Sequence, residues 1–132
     1  MQHHILRQCE EIFRHHIVTG MTIEEADIGD AIRHADGDLI HVQVSENHRG
    51  VTGTGLTPWQ DFRQALQDIN YKGAVVIESF TPDNRDLAGA VCIWKRFTAT
   101  QDEFASRGLE FLRDLFDQPV RIGQSAVLTA SR

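Results

Sequence analysis

The stretch from Leu39 to Ser79 constrains the fold more than any other part of the chain. It has the pattern of a strand, a glycine-rich loop, a helix and a second strand. Apolar runs at Leu39–Val44 and Gly73–Ile77 flank a helix that Thr57 and Pro58 would begin. Strands joined by a helical crossover pair in parallel, because the crossover returns the chain to the same end of the sheet. The pattern predicts an α/β fold with parallel strands.

Charged residues follow both apolar runs. Glu46 and Arg49 come after the first run, and Glu78 closes the second. Ligand chemistry in βαβ folds is found at the carboxyl ends of the strands, where the loops are free to vary. A carboxylate at the end of an apolar strand is costly to bury without a partner. Glu78 is therefore either a strand-end side chain turned to solvent or part of a site, and this stretch leaves both open.

The first predicted strand alternates in polarity over residues 39–45. We expect its aliphatic side to pack under helices and its polar side to face a barrel interior or a cleft. The aliphatic side consists of Ile40, Val42 and Val44, and the polar side of His41, Gln43 and Ser45.

Apolar residues recur at helical spacing in several other segments. The crossover helix carries a stripe within Trp59–Ile69, and a capping-box pattern at Thr22–Glu25 predicts the start of an earlier helix. Further stripes within Leu87–Trp94 and Phe104–Phe116 predict two more helices. We assign these stripes to the core and give them no chemical role.

The composition is that of an ordinary globular chain with room for one domain: 132 residues, 41% of them hydrophobic. A net charge of −6 argues against a nucleic-acid partner. No apolar run approaches the roughly 18 residues of a membrane span, and the first residues lack the pattern of a signal peptide. With only Cys9 and Cys92, the chain suits a reducing compartment, and we expect a cytoplasmic protein.

The segments HVQVSENHRGVTGTGLTPW and VVIESF resemble the D-tagatose 3-epimerase/D-psicose 3-epimerase group of the xylose isomerase-like TIM barrels. The resemblance extends upstream through MTIEEADIGDAIR and downstream through LAGAVCIWKRF and GLEFLRDLF. It implies a partial (β/α)8 barrel containing strands six to eight with their helices. On this basis residues 17–117 form the C-terminal part of a barrel, residues 1–16 stay unassigned, and residues 118–132 form a tail.

The resemblance also implies a chemistry, an isomerase reaction on a small-molecule sugar in carbohydrate metabolism. Members of the group bind a divalent metal, manganese or cobalt, through two Glu, one Asp and one His. The two glutamates exchange a proton at C3 on opposite faces of the sugar through an enediolate. A hard cation prefers such oxygen ligands, and it acidifies the neighbouring carbon.

Only part of the group's site carries over. Glu78 matches a metal ligand that is also one of the acid/base glutamates, and Arg49 matches the arginine that holds a substrate oxygen. Gln43 stands in place of the metal-binding His, and its amide oxygen is a weaker ligand for these metals. Ile17 stands at the metal Asp position and Gly20 at the position of a substrate-binding His. We therefore expect an incomplete metal site, with the absence of any metal left open.

A complete barrel takes about 250 residues, so three strands would leave open sheet edges. Either another chain, for instance a second copy, covers these edges, or the chain is a truncated or frame-shifted fragment without activity of its own. A non-catalytic sugar- or polyol-binding remnant acting through Arg49 and Glu78 is the alternative. An endonuclease IV-type repair protein fits less well, because such enzymes need several His ligands and a basic DNA groove.

Overall fold

The computed structural model describes residues 15–17 and 25–118. In this part of the chain one parallel sheet has the strand order β1, β2, β3, with the bounds His15–Ile17, His41–Val44 and Val75–Ile77. The helices are α1 (Ile28–Ala35), α2 (Trp59–Asp68), α3 (Arg85–Ala90) and α4 (Gln101–Asp117), and a short 3₁₀ helix spans Asp36–Asp38. The predicted α/β class and the parallel pairing of the strands are confirmed.

The register of the sheet aligns one residue from each strand. Ile17 on β1 pairs with Gln43 on β2, and Gln43 pairs with Val76 on β3. The positions that the resemblance assigns to the metal Asp and the metal His are therefore direct neighbours in the sheet. Gly20 lies outside the described residues.

The core lies between the sheet and the helices α1, α2 and α4. Eleven buried apolar side chains form it: Ile28, Ile32, Leu39, Val42, Val44, Trp59, Phe62, Ala65, Leu66, Leu112 and Leu115. The predicted aliphatic side of β2 is confirmed for Val42 and Val44. It is wrong for Ile40, which is 58% exposed, because β2 begins only at the next residue.

The helix α1 begins at Ile28, and its N-cap is Asp27, whose carboxylate accepts a hydrogen bond from the Asp30 amide at 2.9 Å. The helix start predicted at Thr22 lies outside the described residues. One core prediction needs correction: the stripe around α3 is wrong in part, since Trp94 follows the helix and is 83% exposed.

The C-terminal helix ends against α2. The buried guanidinium of Arg63 donates a hydrogen bond to the backbone carbonyl of Gln118, the residue that follows α4. A cation at this position complements the partial negative charge at a helix C-terminus. Within residues 25–118, no helix is both long enough and apolar enough to cross a membrane.

Candidate functional site

The carboxyl ends of β2 and β3 bring the predicted site residues together. The Glu78 amide donates to the carbonyl of Val44 at 2.8 Å, so the parallel ladder continues one residue beyond β3. Gln43 pairs with Val76, and side chains alternate along a strand. This alternation assigns Gln43 and Glu78 to one face of the sheet, the face opposite the buried Val44.

Glu78 is a partly buried carboxylate at the carboxyl end of β3. The residue is half-buried, and its Oε2 atom is shielded from water without a hydrogen-bond partner among the described residues. Burial raises the pKa of the Glu78 carboxyl, and the nearby charge of Arg49 opposes this rise. A carboxylate with a raised pKa at the end of a strand is suited to exchange protons at milder pH than an ordinary Glu.

Arg49 faces the same corner of the molecule from the loop after β2. Its backbone has a left-handed conformation, with a φ of 62°, and its amide donates to the carbonyl of Glu46 at 2.8 Å. The guanidinium carbon lies 5.5 Å from the centre of the Phe80 ring, within the range of a cation–π interaction. None of the ion pairs in the described part of the chain joins Arg49 to Glu78. The donors of the guanidinium therefore do not neutralise that carboxylate.

A second carboxylate, Glu46, is completely buried directly after β2. Its Oε1 atom accepts hydrogen bonds from the amides of Asn47 and Thr57, at 3.1 and 3.0 Å. Its Oε2 atom accepts from the amide of Gly53 at 2.9 Å and from the indole nitrogen of Trp59 at 3.0 Å. Burial by itself would raise the pKa of Glu46, but hydrogen bonds from Thr57 and Trp59 outweigh it and lower the pKa below the ordinary value. These hydrogen bonds thus favour the ionised form of Glu46.

No role for Glu46 was predicted from the sequence. A signal was present: a carboxylate follows an apolar strand and precedes a loop with several glycines. A buried carboxylate needs partners, and this holds for Glu46 as it does for Glu78.

The described residues do not fit a divalent metal. They contain no cluster of three or more His, Cys, Asp or Glu side chains able to hold an ion. Of the positions that the resemblance assigns to ligands, Glu78 offers a carboxylate, Gln43 an amide and Ile17 no donor atom. Manganese and cobalt sites need more oxygen and nitrogen ligands than these two side chains provide.

A large concavity in the described part of the chain lies away from these residues. It has a volume of about 770 Å³ and lies between the C-terminal half of α2 and α4, with Tyr71, Val75 and Phe116 among its lining residues. Val75 is the first residue of β3, so this groove lies at the amino end of the strands. Arg49 and Glu78 do not line it. The candidate site is therefore the open corner at the carboxyl ends of the strands.

Known proteins resemble this chain over most of its length. A model of the family described as "Xylose isomerase-like TIM barrel" matches residues 9–115. A D-psicose 3-epimerase of Enterocloster bolteae is 38% identical over 101 residues, which cover 73% of this chain and 34% of the relative. An L-ribulose 3-epimerase of Methylomonas sp. is 33% identical over 98 residues, which cover 73% of this chain and 34% of the relative.

Solved structures show the same relationship. The structure of an L-ribulose 3-epimerase superimposes with a TM-score of 0.73 at 33% identity, covering 77% of this chain and 35% of that structure. A D-allulose 3-epimerase from Methylomonas sp., solved in complex with D-allulose, superimposes with a TM-score of 0.70 at 31% identity, covering 76% of this chain and 35% of that structure.

The parallel strands and the helices packed on them thus have the arrangement of part of a (β/α)8 barrel. The chain belongs to the xylose isomerase-like TIM barrel family, and its relatives are ketose 3-epimerases. The resemblance described above is confirmed. The chain spans about a third of the length of the curated relatives that it matches.

Proposed function

We propose that this chain carries the part of a ketose 3-epimerase-type site that lies on strands seven and eight, and that its ligand is a ketose. Arg49 binds an oxygen of the sugar, and Glu78 is one of the two carboxylates that move the proton at C3. The observation that carries the proposal is the environment of Glu78, near the guanidinium of Arg49. One carboxylate oxygen is shielded from water and has no hydrogen-bond partner within residues 25–118, and the pKa of the carboxyl is raised.

The two residues have complementary tasks in such a reaction. A guanidinium offers several donors in a fixed plane, so Arg49 can orient a ketose oxygen and stabilise negative charge that develops on it. Glu78 can accept the proton of the neighbouring carbon, because burial brings its pKa closer to neutrality. Both roles require the open corner above the sheet, where Gln43 offers a further polar group to a hydroxyl.

We propose further that the chain by itself binds a ketose without epimerising it. Inversion at a carbon requires a proton to leave on one face and to return on the other, and hence two proton-carrying groups. Among the described residues, Glu78 is suited to this role, whereas the oxygens of Glu46 already accept four hydrogen bonds inside the protein. Gln43 and Ile17, at the positions of metal ligands, favour binding without dependence on manganese.

Ligand titration followed by NMR tests the proposal. We expect D-allulose to shift the amide signals of Arg49 and Glu78 with a saturable, about millimolar affinity, with or without manganese. The variant R49A should weaken the affinity at least about tenfold, whereas R113A, which removes an exposed arginine on α4, should leave the affinity unchanged. Absence of saturable shifts in the unmodified chain would refute the assignment of a sugar site. Conversion of D-allulose to D-fructose by this chain would refute binding without catalysis.

A complementation experiment tests the origin of the site. The chain would be combined with a polypeptide that supplies the preceding strands of a related 3-epimerase, once unmodified and once as the double variant I17D/Q43H. We expect epimerisation and manganese binding with the double variant and neither with the unmodified chain. Loss of the gained activity on adding E78Q would assign the proton transfer to Glu78, and retention of activity would contradict that role.

A further inference from the structure

The loop between β2 and α2 is folded around a single carboxylate. Donors to Glu46 come from residues spread over the loop and the start of the next helix, among them Asn47, Gly53, Thr57 and Trp59. The Glu46 side chain is completely buried. Hydrogen bonds to a charged acceptor are stronger than those to a neutral one. The Glu46 side chain therefore stabilises the conformation of this loop through hydrogen bonds to its backbone.

The same residue also fixes the backbone of Arg49. The carbonyl of Glu46 accepts the Arg49 amide at 2.8 Å, closing a tight turn. Arg49 has a φ of 62°, a left-handed conformation that non-glycine residues adopt only where their surroundings hold them. Both the side chain and the backbone carbonyl of Glu46 thus stabilise the loop segment that contains Arg49, whose guanidinium lies beside Phe80.

We infer that Glu46 is a positioning residue for sugar binding, which acts by holding Arg49 in its place at the site. This inference rests on the function proposed above for Arg49. The chemistry explains why a carboxylate is required. The amides of Asn47, Gly53 and Thr57 and the indole of Trp59 all offer N–H donors to Glu46, and a carboxylate has acceptors alone. The amide of a glutamine would turn an NH2 group toward at least one of these donors.

The first test needs no ligand. In the full chain the indole N–H signal of Trp59 reports the bond to Glu46, and the signal of the exposed Trp94 is an internal reference. Nuclear Overhauser contacts between Arg49 and Phe80 report the position of the guanidinium. In E46Q we expect the Trp59 signal to shift, the Trp94 signal to stay, and the Arg49–Phe80 contacts to disappear. Unchanged contacts in a folded E46Q protein would overturn the inference.

The second test is a double-mutant cycle on D-allulose affinity. We expect E46Q to weaken binding about tenfold and E46Q/R49A to bind no more weakly than R49A alone, because Glu46 acts through Arg49. E110Q removes an exposed carboxylate on α4 and should bind like the unmodified chain. Independent, additive losses would show that Glu46 only supports the fold, and would overturn the positioning role.

Two further outcomes separate the inference from the proposed function. If the unmodified chain binds no ketose, the proposed function fails, and the Arg49–Phe80 contacts still decide whether Glu46 positions Arg49. If E46Q does not fold, E46D keeps the charge on a shorter side chain and satisfies fewer donors. The Arg49–Phe80 contacts should then weaken together with the bond to Trp59. Contacts that persist while the Trp59 bond is lost would overturn the inference.

Discussion

Glu78 should reduce the stability of the chain that carries it. One of its oxygens is shielded from water and has no hydrogen-bond partner in the described part of the chain, and burial raises the pKa of the carboxyl. The ionised form of Glu78 is therefore less favourable in the folded protein than in the unfolded chain, where water solvates it. We predict that E78Q, which keeps the shape and removes the charge, stabilises the fold near neutral pH while abolishing the proposed acid/base function.

The size of the effect follows from the environment of the carboxyl. A buried polar group without a partner costs about 1–3 kcal/mol, and more when it is charged. E78Q leaves a neutral polar group in place and recovers only the part of the cost that is due to the charge. Because Glu78 is only half-buried and Arg49 lies near, solvent screening places the gain from E78Q at the low end, about 1 kcal/mol. For a domain of this size that corresponds to a rise in Tm of about 4 °C.

The pH dependence sharpens the test. The folded-state pKa of Glu78 is raised, so the contribution of this group to stability is fully present below its unfolded pKa, about 4.3, and is lost as pH rises through the folded pKa. The advantage of E78Q should therefore be full near neutral pH and vanish below about pH 4.3.

Thermal unfolding followed by circular dichroism, at a series of pH values, measures the difference between the two proteins. E110Q serves as the matched control and should stay within about 0.5 kcal/mol of the unmodified chain. A lower Tm for E78Q near neutral pH would refute the reasoning, because it would mean that the carboxylate has a stabilising partner in the folded protein. A difference that persists in acid would refute the link to ionisation.

Three further predictions concern the core and the loop. F62A removes a completely buried ring and should lower the free energy of unfolding in urea by about 3–5 kcal/mol; a loss below about 1 kcal/mol would contradict the assigned packing. G53A would place a methyl group against the Phe111 ring at a φ of 88° and should cost at least about 1 kcal/mol in the same assay. The pKa of Glu46 is lowered, so its contribution is present above its unfolded pKa and lost as pH falls through the folded value. The Trp59 indole signal should therefore hold its position in an NMR titration until the pH is below about 4.3.

The sequence predicted β2, β3 and the crossover helix, because their signals are local, whereas His15 and His16 of β1 lie in the segment left unassigned. The alternation along β2 and the three- to four-residue spacing within Trp59–Ile69 do not depend on distant contacts. Predictions failed where tertiary context decides. Ile40 lies just outside β2, and Trp94 lies beyond the end of α3. The N-cap of α1, Asp27, was not singled out from the sequence, because several Asp residues lie near this turn and propensity alone does not choose between them.

The candidate site was predicted in part for a similar reason. The resemblance pointed to Glu78 and Arg49, and parallel topology brings the carboxyl ends of their strands together. The role of Glu46 could not be recognised in this way. Its donors include backbone amides and an indole 13 positions along the chain, which converge only when the loop has its final shape. No periodicity in the sequence marks such a convergence.

The loop around Glu46 has a consequence for how the molecule exchanges its amide hydrogens with solvent. Loop amides normally exchange fast, because water reaches them directly. The amides of Gly53 and Thr57 instead donate to a buried carboxylate, although neither belongs to a helix or a strand. These two amides should exchange as slowly as the amides of the neighbouring helices. The loop between β2 and α2 would then be as rigid as the helices themselves.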